Sequence, residues 1–173
     1  MLIVRPADTD DAPGIARVHV DAWQKAYRGI VPQDYLNALN VQNRTIGWVR
    51  LLERQSGLLT IVSEDEDGRI VGFASGGALR HRDPRYKAEI SSLYVAPQRQ
   101  RRGHGRRLFL ALANRLYERG LNGLFVWVLS DNRAARLFYE ELGGEAAAEV
   151  TRDFAGVPLR ETGYGWPETP RYD

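Results

Sequence analysis

The segment that most constrains the fold is the apolar run from Leu124 to Leu129, LFVWVL. A continuous run of this kind is typical of a strand that is buried on both faces of a sheet. Before it, a leucine repeat from Leu108 to Leu116 forms the apolar stripe of a helix. A strand pattern at Ala88–Val95 precedes that helix. Because a strand–helix–strand unit crosses over right-handed and pairs its strands in parallel or nearly so, the chain is expected to be α/β.

The other elements are expected to complete a single domain over residues 1–173. An Asp-Gly turn at Asp67-Gly68 predicts a hairpin between two of the strands. The order β-α-α-β-β-β-α-β-α-β-β predicts a mixed central sheet of about seven strands flanked by four helices. The further predicted elements are strands at Leu2–Arg5, Leu58–Ser63, Arg69–Ala78, Ala146–Phe154 and Pro158–Trp166, and helices at 12–28, at 33–54 with a break near Asn37, Asn40 and Asn43, at Gly105–Arg119, and from a cap at Ser130 or Asp131 to Leu142.

Composition excludes several classes of protein. The chain has no cysteine, which rules out disulfides, thiolate metal sites and a cysteine nucleophile. The three histidines have no metal-ligand spacing, so no metal is expected. No apolar stretch is long enough to cross a membrane, and the N-terminus lacks a signal-peptide pattern, so a cytoplasmic location is expected. The net charge of +2 is small for a dedicated nucleic-acid binder.

Positive charge is nevertheless concentrated in the stretch Val95–Leu110, VAPQRQRRGHGRRLFL. This stretch joins a strand to the first turn of a helix, where unpaired backbone N–H groups bind anions. Gly103 and Gly105 allow the backbone to approach a ligand closely. The geometry therefore favours a phosphate cradle, with a solvated helix start and a nucleic-acid patch as alternatives. Five arginines lie within nine residues: Arg99, Arg101, Arg102, Arg106 and Arg107.

Two segments resemble the signatures of the GNAT superfamily of acetyl-CoA-dependent N-acyltransferases. Gln100–Gly105, QRRGHG, resembles the motif Q/R-x-x-G-x-G/A. Asn132–Gly143, NRAARLFYEELG, resembles the motif N-x-x-A-x-x-[FL]-Y-E-x-L-G. The two stand at the separation and on the elements that the family has, and the order of elements matches from end to end. The resemblance implies an N-acetyltransferase with acetyl-CoA as its cosubstrate.

The resemblance also implies where acetyl-CoA binds. Backbone amides of the glycine turn would hold the pyrophosphate, and spare arginines would reach the 3′-phosphate. The strands at Ala88–Val95 and Leu124–Leu129 would splay apart, with the pantetheine arm between them. The implied contacts are Leu93, Tyr94 and Val95 on the strand, Arg101, Arg102, Gly103, His104, Gly105 and Arg106 in the turn, and Asn132 on the next helix.

Acetylation of an amine needs a neutral amine, a stabilised oxyanion and a proton for the leaving thiolate. The position of Tyr139 in the second motif implies that it is the general acid, although it shares a helical face with apolar residues and packing is the alternative. Glu89 is either a general base that acts through water, as in many relatives, or a solvent-facing residue at a strand start. A backbone N–H near Tyr94 or Val95 would stabilise the oxyanion.

The expected acceptor is a primary amine of a small molecule or peptide. Ribosomal-protein N-terminal acetyltransferases place a glutamate base where this chain has Trp127, which weakens a protein N-terminus as the acceptor. Because an acyl-cysteine cannot form, direct transfer in a ternary complex is expected. Helix aromatics offer either an amine cage or core packing. They are Trp23, Tyr27, Tyr35 and Trp48.

A second function from another class stays open. The same fold could serve as a catalytically silent acyl-CoA-binding or RNA-contacting module, which would tolerate Tyr139→Phe. No nucleic acid and no membrane is expected as a partner. A homodimer is possible, with the late strands and the tail through Trp166 as its interface. His81 lies on a loop that either borders the acceptor site or is plain surface.

Overall fold

The computed structural model describes residues 2–54 and 56–171, and these form one mixed sheet with helices on both faces. The strands are β1 (Ile3–Pro6), β2 (Leu59–Glu64), β3 (Ile70–Ala78), β4 (Ala88–Val95), β5 (Leu124–Leu129), β6 (Glu145–Phe154) and β7 (Val157–Trp166), in the sheet order β1-β2-β3-β4-β5-β7-β6. The helices are α1 (Ala12–Ala26), α2 (Gln33–Ala38), α3 (Val41–Glu53), α4 (His104–Glu118) and α5 (Arg133–Glu141).

The predicted α/β class, the seven-stranded mixed sheet and the order of its strands along the chain are confirmed. The prediction of four helices is wrong, because the second helical region consists of two helices, α2 and α3. Leu39 and Asn40 are extended between them, and the Asn40 side chain accepts from the N–H of Asn43 to cap α3. The break therefore falls among the asparagines where it was expected. The cap of α5 is Asn132, rather than Ser130 or Asp131.

The two faces of the sheet carry different helices. On the first, called here the α4 face, α4 and α5 pack against apolar side chains of the central strands such as Ile90 and Val126. On the second, called the α1 face, α1 and α3 pack against Val62 and Phe73. Within the described ranges no helix combines the length and the apolar character that crossing a bilayer requires.

The feature that matters most for function is an opening between two central strands. Strands β4 and β5 pair in parallel only from Ala88 opposite Leu124 to Ile90 opposite Val126. Beyond that point β4 stays paired with β3 as far as Val95, with an irregularity in the ladder opposite Ser75 and Gly76. Strand β5 stays paired with β7. The two strands therefore separate towards their C-terminal ends and leave what we call the β4–β5 gap.

Candidate active site

Two residues of β4 direct backbone groups into this gap. The N–H of Ala96, directly after β4, donates to the carbonyl of Val71 in β3 and so points towards β3. Because N–H groups alternate in direction along a strand, those of Leu93 and Val95 point away from β3 and towards the gap. The N–H of Tyr94 points towards β3, and its side chain lies on the α1 face. Leu93 and Val95, two of the predicted contacts, therefore direct their backbone N–H groups into the gap. Tyr94 offers its phenol side chain on the α1 face instead.

The turn at residues 101–106 lies at the C-terminal end of β4. Arg101 and Gly103 both have positive φ, 62° and 87°, and Gly103 is the N-cap of α4. No described residue accepts a hydrogen bond from the backbone N–H groups of residues 101–106, and the first helical bond runs from the N–H of Arg107 to the carbonyl of Gly103. Consecutive free N–H groups at a helix N-terminus form an anion-binding concavity. The predicted phosphate cradle therefore has the backbone geometry that it needs.

The arginines around this turn divide into two groups. Arg99 pairs with Asp65 at 2.9 Å, and Arg107 donates to the carbonyl of Leu2 at 2.7 Å, so both hold the local fold together. The other three are exposed and form no ion pair within the described part of the chain. These three are Arg101, Arg102 and Arg106.

Two other residues of the turn have structural roles. The His104 ring is buried with its Nδ1 2.7 Å from the Ser63 hydroxyl, and burial lowers its pKa. The His104 side chain is therefore engaged in the fold, and only its backbone N–H is without a partner among the described residues. A Cβ on Gly105 would lie 3.3 Å from the Phe138 ring, so this glycine lets the start of α4 approach α5 closely. Sequence reasoning assigned Gly105 to ligand approach and missed this packing requirement.

Tyr139 enters the site from α5 on the α4 face. Its side chain is only 6% exposed and packs against Phe109 and Trp166. Its hydroxyl has no hydrogen-bond partner among the residues that the structure describes. Burial raises the pKa of Tyr139, and its electrostatic interaction with Tyr94 adds to the rise. A phenol already keeps its proton at neutral pH at its ordinary pKa, so the raised pKa leaves Tyr139 protonated but makes it a weaker acid.

Glu89 is the middle residue of the short β4–β5 ladder, opposite Phe125. It is 3% exposed, which excludes the solvent-facing alternative. Both carboxylate oxygens accept from Arg80, at 3.0 Å from Nε and 2.7 Å from Nη2. A cavity of about 380 Å³ beside them is lined by Ser91 and Gly77. The carboxylate can thus reach a substrate proton only through water or by leaving Arg80.

These features match a known family. Residues 18–144 match the acetyltransferase (GNAT) family model. The chain belongs to the GNAT acetyltransferase family. It is 39% identical over 168 residues to the uncharacterized N-acetyltransferase YuaI of Bacillus subtilis, covering 97% of this chain and 94% of that protein. It is 28% identical over 167 residues to the probable N-acetyltransferase Rv2775 of Mycobacterium tuberculosis, covering 93% and 91%.

A solved structure shows the same fold. The putative acetyltransferase YncA of Salmonella typhimurium, solved with acetyl-CoA, superposes with a TM-score of 0.72 at 24% identity. The match covers 100% of this chain and 96% of that one. Within the described ranges no group of three or more metal-ligating side chains comes together.

Asn132 has a structural role in this GNAT domain besides its predicted one. Its Oδ1 accepts from the N–H of Ala135 and caps α5, which leaves the amide NH₂ available to a ligand. Trp166, expected near a dimer interface, is buried, and its indole N–H donates to the carbonyl of Leu142. His81 packs its ring on Phe125, at 4.8 Å between centroids. It is therefore anchored on the sheet rather than free on the surface.

The α1 face beside the gap carries an aromatic cluster, called here the acceptor cluster. Trp23 and Tyr27 meet edge to face at 4.7 Å, and the Tyr27 hydroxyl lies 2.9 Å from that of Tyr94. Trp48, expected with them, packs instead on Phe73 in the neighbouring core. Sequence reasoning missed His19, although it lies one turn before Trp23 on α1, and it missed Phe154, which only long-range contacts bring here. The acceptor cluster consists of His19, Trp23, Tyr27, Tyr35, Tyr94 and Phe154.

Proposed function

We propose that this GNAT domain transfers the acetyl group of acetyl-CoA directly to a primary amine of a small molecule or peptide. One observation carries the proposal. The donor-rich turn at residues 101–106 lies at the end of β4, where the β4–β5 gap opens. A site for a diphosphate thus continues into a slot with a free strand edge, as an elongated phosphorylated cosubstrate requires.

The residues present fit coenzyme A along its length. Backbone N–H groups of residues 101–106 would hold the pyrophosphate. Arg101, Arg102 and Arg106, which have no ion-pair partner in the described residues, would reach the 3′-phosphate. The N–H groups of Leu93 and Val95 would pair with the amides of the pantetheine arm, and the Asn132 amide would add a donor. Acetyl-CoA supplies the activated thioester.

We assign the chemistry to Tyr139, Glu89 and the edge of β4. The buried, protonated phenol of Tyr139 would donate to the leaving thiolate. A gap-facing N–H of β4 would stabilise the oxyanion, because it is fixed in place before the reaction begins. Glu89 would take the amine proton through a water in the adjoining cavity, with Arg80 orienting its carboxylate. The acceptor would approach from the α1 face.

Two finer expectations belong to the same proposal. The use of acetyl-CoA and the absence of cysteine support a cytoplasmic location. If a second copy pairs with this chain, β6 and the start of β7 are the surface on which it would pack. Several side chains there are exposed, among them Val157.

Calorimetric titration with acetyl-CoA, and separately with a short RNA, tests the proposal at physiological salt. We expect one-to-one acetyl-CoA binding in the micromolar range and no RNA binding. Release of free thiol from acetyl-CoA in the presence of primary amines should then reveal turnover, which Tyr139→Phe should suppress. Salt-sensitive RNA binding without acetyl-CoA binding would establish the RNA-contacting module instead. Acetyl-CoA binding with no turnover of any amine would establish the silent module.

A further inference from the structure

The described residues contain three buried side-chain polar atoms without a hydrogen-bond partner: His19 Nε2, Trp23 Nε1 and Glu161 Oε2. His19 and Trp23 belong to the acceptor cluster. Glu161 lies on β7 opposite Leu129, which packs against the same cluster. Because nearly all buried polar groups in proteins are paired, such atoms gathered in one place need an explanation. A ligand bound at this face would supply the missing hydrogen-bond partners.

The two nitrogens are both hydrogen-bond donors. The indole N–H of Trp48 donates to His19 Nδ1 at 3.2 Å, so the neutral imidazole carries its proton on Nε2. Burial and the nearby Arg44 lower the pKa of His19 to about 4, so the ring is neutral at physiological pH. Trp23 Nε1 can only donate. It approaches the Tyr94 hydroxyl closely enough to offset part of the rise in the pKa of that phenol, but it does not complete a hydrogen bond with it.

Arg44 adds a positive charge on the same side. Its Nη2 lies 3.2 Å from the hydroxyl of Tyr35, which holds the guanidinium beside the acceptor cluster. Two N–H donors and a guanidinium together complement an anionic oxygen group such as a carboxylate.

Glu161 provides the opposite complement. Its side chain is 21% exposed, and its negative charge contributes to the raised pKa of both Tyr27 and Arg80. Oε2 lies 2.9 Å from Arg152 Nε, but the N–H does not point at it, so the contact is an ion pair without a hydrogen bond. The unused lone pair of this carboxylate suits an ammonium or amine N–H.

We infer that the acceptor is a free amino acid whose carboxylate is bound by His19, Trp23 and Arg44 and whose amino group lies towards Glu161. This inference rests on the proposed function. Tyr94 connects the two ends, since its ring stacks on His19 at 5.9 Å and its hydroxyl contacts that of Tyr27. A polyamine does not fit, because it has no acceptor to satisfy the donors at the α1 end.

Phe154 covers this site. Its ring lies 4.8 Å from Tyr35 and 5.9 Å from Trp23, at the end of β6. The next two residues, Ala155 and Gly156, form a tight turn with positive φ. For the acceptor to reach the buried donors, the Phe154 ring would have to move aside.

The test compares amino acids with their decarboxylated amines. The pairs are L-leucine with isopentylamine, L-phenylalanine with phenethylamine and L-methionine with 3-(methylthio)propylamine, and the readout is thiol release from acetyl-CoA with mass spectrometry of the N-acetyl product. At least one amino acid should exceed its own amine about tenfold in kcat/KM, because the amine leaves the donors unpaired.

Trp23→Phe keeps an aromatic ring and removes the N–H together with the rest of the five-membered ring of the indole. It should reduce that amino-acid preference severalfold by raising KM for the acid, with little change for the amine. Trp48→Phe should act in the same direction, since it removes the donor to Nδ1 that keeps the His19 proton on Nε2. Trp166→Phe is the matched control on the α4 face, where the lost N–H had a partner, and it should leave the preference unchanged.

Three results would overturn the inference. The amines could be acetylated as well as or better than the acids, which leaves the transferase function intact. Neither set could be acetylated while acetyl-CoA binds, which contradicts an amino-acid acceptor. The amino-acid preference could survive Trp23→Phe unchanged, which removes the proposed carboxylate contacts. A failure to bind acetyl-CoA at all would show instead that the proposed function has failed.

Discussion

The 101–106 turn and the acceptor cluster lie on either side of the β4–β5 gap, and they are built on different principles. The turn presents backbone N–H groups, held by positive φ at Arg101 and Gly103 and by the start of α4. The acceptor cluster presents side chains from α1, α2, β4 and β6 that meet only through tertiary packing. Because every coenzyme A carries the same phosphates, a backbone site serves one ligand. Side chains can vary with the acceptor.

The largest expected effect breaks the turn. Gly103→Glu forces a side chain into φ +87° and puts a carboxylate where a phosphate should bind. The dissociation constant for acetyl-CoA, measured by calorimetry, should rise at least about 100-fold. Gly120→Glu is the matched control, because Gly120 has φ +82° in equally open space just beyond the other end of α4. A similar loss in that control would show that strain, rather than charge, disrupts binding.

Tyr139→Phe separates chemistry from cosubstrate binding. Removing the hydroxyl should lower kcat about 100-fold, since a general acid contributes on that order or more. The affinity for acetyl-CoA should stay the same, because the aromatic ring keeps its packing. Tyr117→Phe, on the exposed side of α4, is the control and should have no effect. If Tyr139→Phe retained full activity, the phenol would be a packing residue.

Acid should weaken the acceptor cluster through His19. Its pKa is about 4 in the folded protein, against an ordinary value of 6.5, so the unfolded chain binds the proton more tightly. The contribution of His19 to the free energy of unfolding is therefore fully present above pH 6.5. It decreases by roughly 3 kcal/mol as the pH falls towards 4. Buried His104 contributes in the same direction. Urea unfolding at several pH values should show a flatter dependence for His19→Phe, and an unchanged dependence would contradict this account.

The smallest effects concern single arginines. Arg106→Ala should weaken acetyl-CoA binding about threefold to tenfold and reduce its salt dependence, since an exposed charge contributes modestly. Arg107→Ala is the neighbouring control, because that guanidinium donates to the carbonyl of Leu2. It should affect stability more than binding. Equal loss of binding in both variants would indicate a general field of positive charge rather than placed contacts.

The same contrast explains what the sequence could predict. The turn was predictable because its glycines, its arginines and the strand and helix around it are adjacent in the chain. The gap was implied only by the family resemblance, since no local pattern shows where β4 and β5 stop pairing. The helix count was wrong because Leu39 and Asn40 interrupt an otherwise helical segment with only two extended residues.

The acceptor cluster was predicted only in part. Aromatic residues on α1 and α2 were visible, but their partner Phe154 lies more than a hundred residues away. The buried state of Glu89 and its three hydrogen bonds from Arg80 also depend on how the end of β3 folds back on β4. Side-chain pairing of this kind is decided by packing, so spacing along the chain carries no information about it.

Amide hydrogen exchange with and without acetyl-CoA tests the central claim most directly, because that claim concerns backbone N–H groups. We predict slower exchange at residues 101–106 and at Leu93 and Val95, with little change in α3. Binding that leaves those amides unprotected, or that protects the acceptor cluster instead, would contradict the placement of the cosubstrate in the turn and the β4–β5 gap.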